Sequence, residues 1–270
     1  MFTRFTVWFR LFFVVAALVI PISATSQSFY GSLVAVVEDP QGGVMPGASI
    51  VLVNTATSER REGVTAEDGT YQFVNLVPGT YRLEVELTGF QRYVRDQIQV
   101  SVQTTPRIAV MLQLGSLQET VSVSGEAPQL QTESASVGTV VGTLAVQELP
   151  LNGRNVLNLI AVAPTVVPQG GSEGSLTGKK VFAAGSYQIG GGVANQSASL
   201  YDGVPLQDTA YGNIVVLTPS PEGVEEFRVQ TNNSSAEFGR FTGGVVNMAS
   251  RSGTNVFRGT TFEYFPNPSL

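Results

Sequence analysis

The chain has no cysteine and no histidine among its 270 residues. Together these absences remove disulfides, thiolate chemistry, Cys/His zinc sites, the Ser-His-Asp triad and the commonest general base. They also remove attachment through a lipidated N-terminal cysteine. Charge is scarce too: 13% of residues are charged, the net charge is −6, and Lys and Arg form no run longer than two, as at Lys179-Lys180. A nucleic-acid partner, which needs a cationic face to neutralise phosphates, is not expected. Nor is an enzyme. Glu225 and Glu226 are neighbours in an extended stretch, so they point to opposite faces and make a poor paired-carboxylate site.

Long hydrophobic runs are missing apart from Leu11–Ile20. That segment is shorter than the ~20 apolar residues a spanning helix needs. Arg4 and Arg10 precede it, Pro21 ends it, and Ala24-Thr-Ser26 supplies small residues for cleavage. Residues 1–26 therefore read as a cleaved secretory signal peptide. Roughly 244 residues remain, one large or two modest domains at ~100–200 residues each.

Glycine and proline are plentiful, 29 and 14, as suits many short strands joined by turns. From Phe29 to Leu114, alternating stretches at Tyr30–Val37, Ala48–Asn54, Tyr71–Val74, Tyr81–Leu87, Ile98–Val102 and Ile108–Leu114 are separated by turn signals such as Asp39-Pro-Gln-Gly-Gly43 and Glu67-Asp-Gly69. Such spacing predicts a β-sandwich, and such alternation predicts one buried and one wet face per strand. Tyr71, Phe73 and Tyr81 alternate with polar residues and are assigned to the core rather than to a sugar platform. Asp39, Glu67 and Asp68 lack the dense oxygen spacing of a calcium loop and are assigned to turns, so no metal site is expected.

The run GASIVLVNTAT…GVTAEDGTYQFVNLVPGTYRLEVELTGFQ within residues 27–114 resembles the carboxypeptidase regulatory-like domain. The resemblance implies a transthyretin-like sandwich of a kind often placed before the plug of TonB-dependent receptors, and linked elsewhere to carbohydrate binding. Residues 115–136 then read as a connector. Its one extended piece contains Glu119, Thr120, Val121, Ser122 and Val123. An unpaired alternating strand offers backbone groups to another chain. By position these five residues resemble a TonB box, the segment such receptors present to a TonB-like energising protein. The same strand could equally close the sandwich or link it onward.

Beyond the connector, Val137–Val141 is β-like, and Arg154-Asn155 caps a predicted helix running to about Ala163, with Leu157, Ile160 and Ala161 facing a sheet. Leu200-Tyr-Asp-Gly-Val-Pro205 is a strand, a turn that tolerates positive φ, and a strand. In Val224-Glu-Glu-Phe-Arg-Val-Gln230, Phe227 and Val229 share one face and Glu226 and Arg228 the other, which predicts a half-buried strand. Glu237-Phe-Gly-Arg-Phe-Thr-Gly-Gly244 permits tight bends before the apolar strand Val245–Met248. Phe257–Phe265 alternates again.

These blocks, EEFRVQT, EFGRFTGGVVN and SGTNVFRG, resemble in order and spacing the plug of TonB-dependent outer-membrane receptors. ELPLNGRNVLNLIAVAPTV is similar to the opening of their Oar-like branch. The resemblance implies a mainly β fold, with a small α/β plug domain over residues 137–255 and the start of a first barrel strand over 256–270. It further implies export to the periplasmic side of a Gram-negative-type outer membrane, and a plug gating uptake of a small-molecule, carbohydrate or peptide substrate. No cofactor is implied. A barrel must close with many strands, and this chain is expected to supply the start of one. The expectation is a chain that does not transport alone, as a truncated product or half of a split gene. The competing reading is a soluble periplasmic or secreted binding module, tested by ligand affinity of the sandwich alone. Gly174-Ser-Leu-Thr-Gly-Lys-Lys180 is one residue short of a phosphate loop and lacks its Ser/Thr. Together with Gly190-Gly-Gly192 it is assigned to flexible loops.

Overall fold

Alternating Val, Ile, Leu and Tyr residues put the first half of the chain into strands. The computed structural model describes residues 29–115, 120–123, 135–149, 151, 154–168, 187–193, 196–208, 214–215, 217–238 and 241–261. The predicted signal peptide, most of the connector, the Gly174–Lys180 loop and the second half of the predicted barrel strand lie outside these residues.

Eight strands form the first unit: β1 (Gly31–Glu38), β2 (Ser49–Asn54), β3 (Arg60–Val64), β4 (Thr70–Leu76), β5 (Gly79–Glu86), β6 (Arg92–Val100), β7 (Arg107–Met111) and β8 (Thr120–Val123). They make a three-stranded sheet, β4-β1-β7, and a five-stranded sheet, β3-β2-β5-β6-β8. The inward rows of the two sheets, among them Leu33, Ala35, Ile50, Leu52, Phe73, Tyr81, Leu83, Ile98 and Ile108, pack into one core. This is the expected sandwich. Phe73 and Tyr81 are buried in it and Tyr71 packs against it, with Tyr71 edge-on to Phe73 at 4.8 Å. Strand β5 shows the predicted alternation, but β1 does not: Leu33 through Val37 are all buried. It runs between β4 and β7, so it has no free edge, and its outer face is covered as well.

Both acidic turns behave as turns. Asp39 Oδ1 accepts from the amides of Gln41 and Gly43, and Asp68 Oδ1 accepts from the amide and hydroxyl of Thr70. These bonds hold the Asp68 carboxyl below its usual value.

The second unit is built on β9 (Val137–Val141), helix α1 (Thr143–Glu148), β10 (Val166–Pro168), β11 (Tyr187–Ile189), β12 (Ala198–Tyr201), β13 (Val204–Pro205), β14 (Gln207–Asp208), β15 (Ile214–Val215), β16 (Val224–Asn232) and β17 (Val245–Ser250). Its main sheet has the order β13-β12-β17-β16-β9. The predicted turn after Tyr201 is present, with Asp202 and Gly203 both at positive φ, 50° and 79°, as a tight hairpin requires. Gly243-Gly244 allows close approach: a Cβ at Gly244 would lie 2.3 Å from the Gln230 carbonyl.

Two differences from expectation follow from helix type. The unit holds little α-helix, since α1 has six residues. The segment after Asn155, Val156–Val162, is a 3-10 helix whose first turn is capped by Asn155 accepting from the Leu157 amide. Three residues per turn put Leu157, Ile160 and Ala163 into the core and leave Ala161 exposed. Residues 251–261 carry no strand, so the described part of the Phe257–Phe265 stretch is irregular, with Phe257 fully exposed.

Leu83 lies at the centre of the first core, opposite Leu52 of β2. Leu83→Ala should cost about 2–5 kcal/mol by loss of burial plus a residual cavity, read as a lower urea midpoint at unchanged slope.

Candidate functional site

Strand β16 has neighbours on both edges, β17 and β9, and its two faces meet different parts of the molecule. Phe227 and Val229 enter the core of the second unit with Val141, Val246 and Met248. The opposite row continues to Gln230, and its Glu226 and Arg228 were expected to be wet. Instead Arg228 is 2% and Gln230 4% exposed. The sandwich covers them, with the loop between β6 and β7 laid along that face.

Three contacts to backbone and amide groups make this junction, and the Ser101 side chain adds a hydrogen bond to Glu226. The Val102 amide donates to Glu226 Oε1 at 2.5 Å. Arg228 Nη1 donates to the Gln103 carbonyl, and Gln230 Nε2 donates to Gln103 Oε1 at 2.8 Å. Positive φ at Gln103, 52°, turns the loop so that its carbonyl and its amide side chain both reach β16. Arg228 also crosses β9 to the end of the connector, where Nη2 donates to Ser136 Oγ at 3.0 Å. Glycine at position 138 is set first by the paired strand, since a Cβ there would sit 2.7 Å from the Val229 carbonyl, with Arg228 Nε next at 3.2 Å.

The connector is tied down twice more. Asn233 Nδ2 donates to the Ala135 carbonyl and the Thr231 hydroxyl to the Val137 carbonyl. A separate strap joins the far end of the second unit to the sandwich: the Asn255 amide and side chain donate to the Ala56 and Thr57 carbonyls. Beside the junction is a cleft of about 420 Å³ lined by residues of the sandwich, the connector and the second unit.

Charge is handled unevenly here. Burial raises the Glu226 carboxyl above its ordinary 4.5, and the Val102 amide opposes the rise. Burial lowers the Arg228 guanidinium from its ordinary value. Arg228 makes no ion pair among the described residues. Its Nε, Gln230 Oε1 and both amide atoms of Asn247 lack hydrogen-bond partners among the described residues, and Asn247 lies directly across from Arg228 on β17. Glu225, on the other side of β16, accepts from the Thr143 hydroxyl and pairs with Arg251, so the two glutamates diverge as the strand geometry required.

Of the five candidate partner-binding residues, Glu119 lies outside the described residues. Thr120, Val121, Ser122 and Val123 form β8, parallel to β6 with Thr120 opposite Arg92 and Val123 opposite Arg95. The segment is thus the edge strand of the five-stranded sheet and not a free connector. Sequence reasoning missed the β16 junction altogether. Among the described residues no group of three acidic side chains gathers as a metal site would require.

Comparison with known proteins gives two findings. Residues 32–113 match the family model of the carboxypeptidase regulatory-like domain. The chain is 32% identical over 260 residues to the TonB-dependent transporter Oar of Myxococcus xanthus, a match covering 92% of this chain and 23% of that protein. The chain therefore spans about a quarter of the length of this curated relative. Among solved structures, the TIE protein of Bacillus anthracis aligns with 32% of this chain and 16% of its own at 21% identity and a TM-score of 0.29. A streptococcal ancillary pilin aligns with 33% of each chain at 17% identity and a TM-score of 0.28.

The raised Glu226 carboxyl has a definite sign in stability. The folded state holds this proton more tightly than the unfolded state, so the group's contribution is fully present below the unfolded value. It is lost as pH rises through the raised folded value. Glu226→Gln keeps an acceptor for the Val102 amide and removes the titration. The stability difference, Glu226→Gln minus wild type, should therefore grow as pH is raised from 4 through the weakly acidic range, as measured by urea unfolding at each pH.

Proposed function

We propose that this chain is the N-terminal, periplasm-facing part of a TonB-dependent outer-membrane receptor, with residues 27–114 as an appended sandwich and residues 137–255 as the plug. One observation carries the reading: the similarity to a TonB-dependent transporter runs through both units, over 92% of the chain. In this reading residues 1–26 direct export. Residues from about 256 onward lead into a barrel, and the plug gates uptake of a small-molecule, carbohydrate or peptide substrate. The chain works by position and movement, without chemistry of its own.

The geometry suggests how a TonB-like energising protein would engage it. Strand β8 has a four-residue parallel pairing with β6 along one edge. Its other edge has no strand partner among the described residues, and backbone groups on such an edge are open to strand addition. Tension applied at Glu119–Val123 would pass along the connector to Ser136 and then to β9, itself an edge strand of the plug sheet. An edge strand peels one hydrogen-bonded pair at a time. The plug side chains that feel the pull first are Asn233, through Ala135, and then Arg228, through Ser136.

A crosslink tests this in a chain whose lack of cysteine gives a clean background. Val94 and Ser122 are register partners on β6 and β8, about 4.8 Å apart at Cα as adjacent strands are, within reach of a disulfide. Oxidised Val94→Cys/Ser122→Cys pins β8 to β6 and leaves its free edge open, so it should still bind the periplasmic domain of a TonB-like protein, whereas Val121→Pro/Ser122→Pro, which removes two successive backbone donors, should abolish binding. Binding unchanged in Val121→Pro/Ser122→Pro would remove β8 from the partner site.

A further inference from the structure

Two unmet chemical demands stand at the β16 wall of the cleft, one just behind it at Arg228 and one on the lining residue Gln230. The first is a cation without a counter-charge. Arg228 is almost fully buried and ends only on the Gln103 carbonyl and on Ser136, both of them cleft-lining residues. Glu226, the other charged group on that face, is engaged with the Val102 amide. The second demand is an acceptor without a donor. Gln230 lines the cleft, its Nε2 is committed to Gln103, and its Oε1 has no partner among the described residues. With Nε2 so committed, the open hydrogen-bonding capacity of Gln230 is its carbonyl oxygen, which lies buried just behind the cleft wall.

Arg228 and Gln230 are two residues apart on one strand face, about 6.6 Å along the strand. That separation lies within the span of one amino-acid unit. A carboxylate is the natural partner of a guanidinium, since two parallel N–H donors match its two oxygens. An N–H beside that carboxylate would answer Gln230. The walls near them, Phe238 and Tyr30, offer apolar surface for a side chain, and a cleft of about 420 Å³ is large enough for a short peptide end.

We propose that this cleft binds an α-carboxylate with a neighbouring N–H. The carboxylate replaces Ser136 on the Arg228 guanidinium, and the N–H donates to Gln230 Oε1. Both a free amino acid and the C-terminus of a peptide carry this group. Because Ser136 ends the connector, occupancy also loosens the connector from β9. This binding site goes beyond the receptor reading and does not require it, since every contact is made within the described residues of this chain.

Calorimetric titration of the whole chain with L-alanine, trialanine and trialanine amide tests the proposal and separates the sources. Trialanine should bind and its amide should bind at least tenfold more weakly. Equal affinity for L-alanine and trialanine would assign the site to free amino acids, and preference for trialanine would assign it to peptide ends. Arg228→Gln should abolish binding of either acid. Gln230→Leu should weaken it about tenfold, and Ser136→Ala, which removes the competing hydroxyl, should tighten it. The last two changes leave the apolar core untouched and keep the test decisive if Arg228→Gln fails to fold. No binding by either acid, equal binding of trialanine and its amide, or affinity unchanged in Gln230→Leu would overturn the proposal.

Discussion

The arrangement of this molecule depends on covering the second face of one strand. A central strand in a sheet has two faces, and the second unit supplies an apolar core for only one side of β16. The other side carries Glu226, Arg228 and Gln230, which satisfy each other poorly and need carbonyl and amide partners from elsewhere. The loop between β6 and β7 provides them with three residues, Ser101, Val102 and Gln103. Docking of the sandwich is thus written into alternate positions of a strand in the other unit, and the junction is polar for that reason.

A polar junction behaves differently from an apolar one. Apolar surfaces gain in proportion to area and part with reluctance. A hydrogen-bonded seam gains only about 0.5–1.5 kcal/mol per bond, while a buried ion without a partner charge costs several kcal/mol. Here the seam contacts stand against one unpaired guanidinium and several orphaned amide atoms, so the seam is close to balance. Small changes in what touches Arg228 can then decide whether the two units stay together. The Asn255 strap to Ala56 and Thr57 keeps a second attachment if the first opens.

Much of this was legible in the sequence, and the rest was hidden for physical reasons. Strands in the sandwich announce themselves because their outer faces are wet, so Tyr81, Leu83 and Val85 stand out against Arg82, Glu84 and Glu86. Asp202-Gly203 is legible because positive φ limits the residues that fit. Arg228 was misjudged because polarity in a strand normally reports solvent, and nothing local distinguishes a face wetted by water from one hydrogen-bonded to another unit. The error at Ala161 was one of period: 3.0 and 3.6 residues per turn share Leu157 and Ile160 and diverge at the next contact. Strand β8 was read correctly as extended, but its pairing with β6 is parallel. Parallel pairs join segments distant in sequence and leave no turn signature between them.

The connector is where these threads meet. It leaves the sandwich from an edge strand, β8, and enters the second unit as another edge strand, β9. At the moment of entry it is held by a side chain that also holds the sandwich loop. Arg228 therefore joins three parts of the chain, and any event that moves one of them alters its hydrogen bonds to the others. Had position 228 been apolar, the sandwich could still pack on β16, but connector and loop would no longer share a contact. The cost of burying an unpaired cation is then the physical basis of coupling between units, because only an interaction that is unfavourable when half-made transmits the loss of one partner to the next.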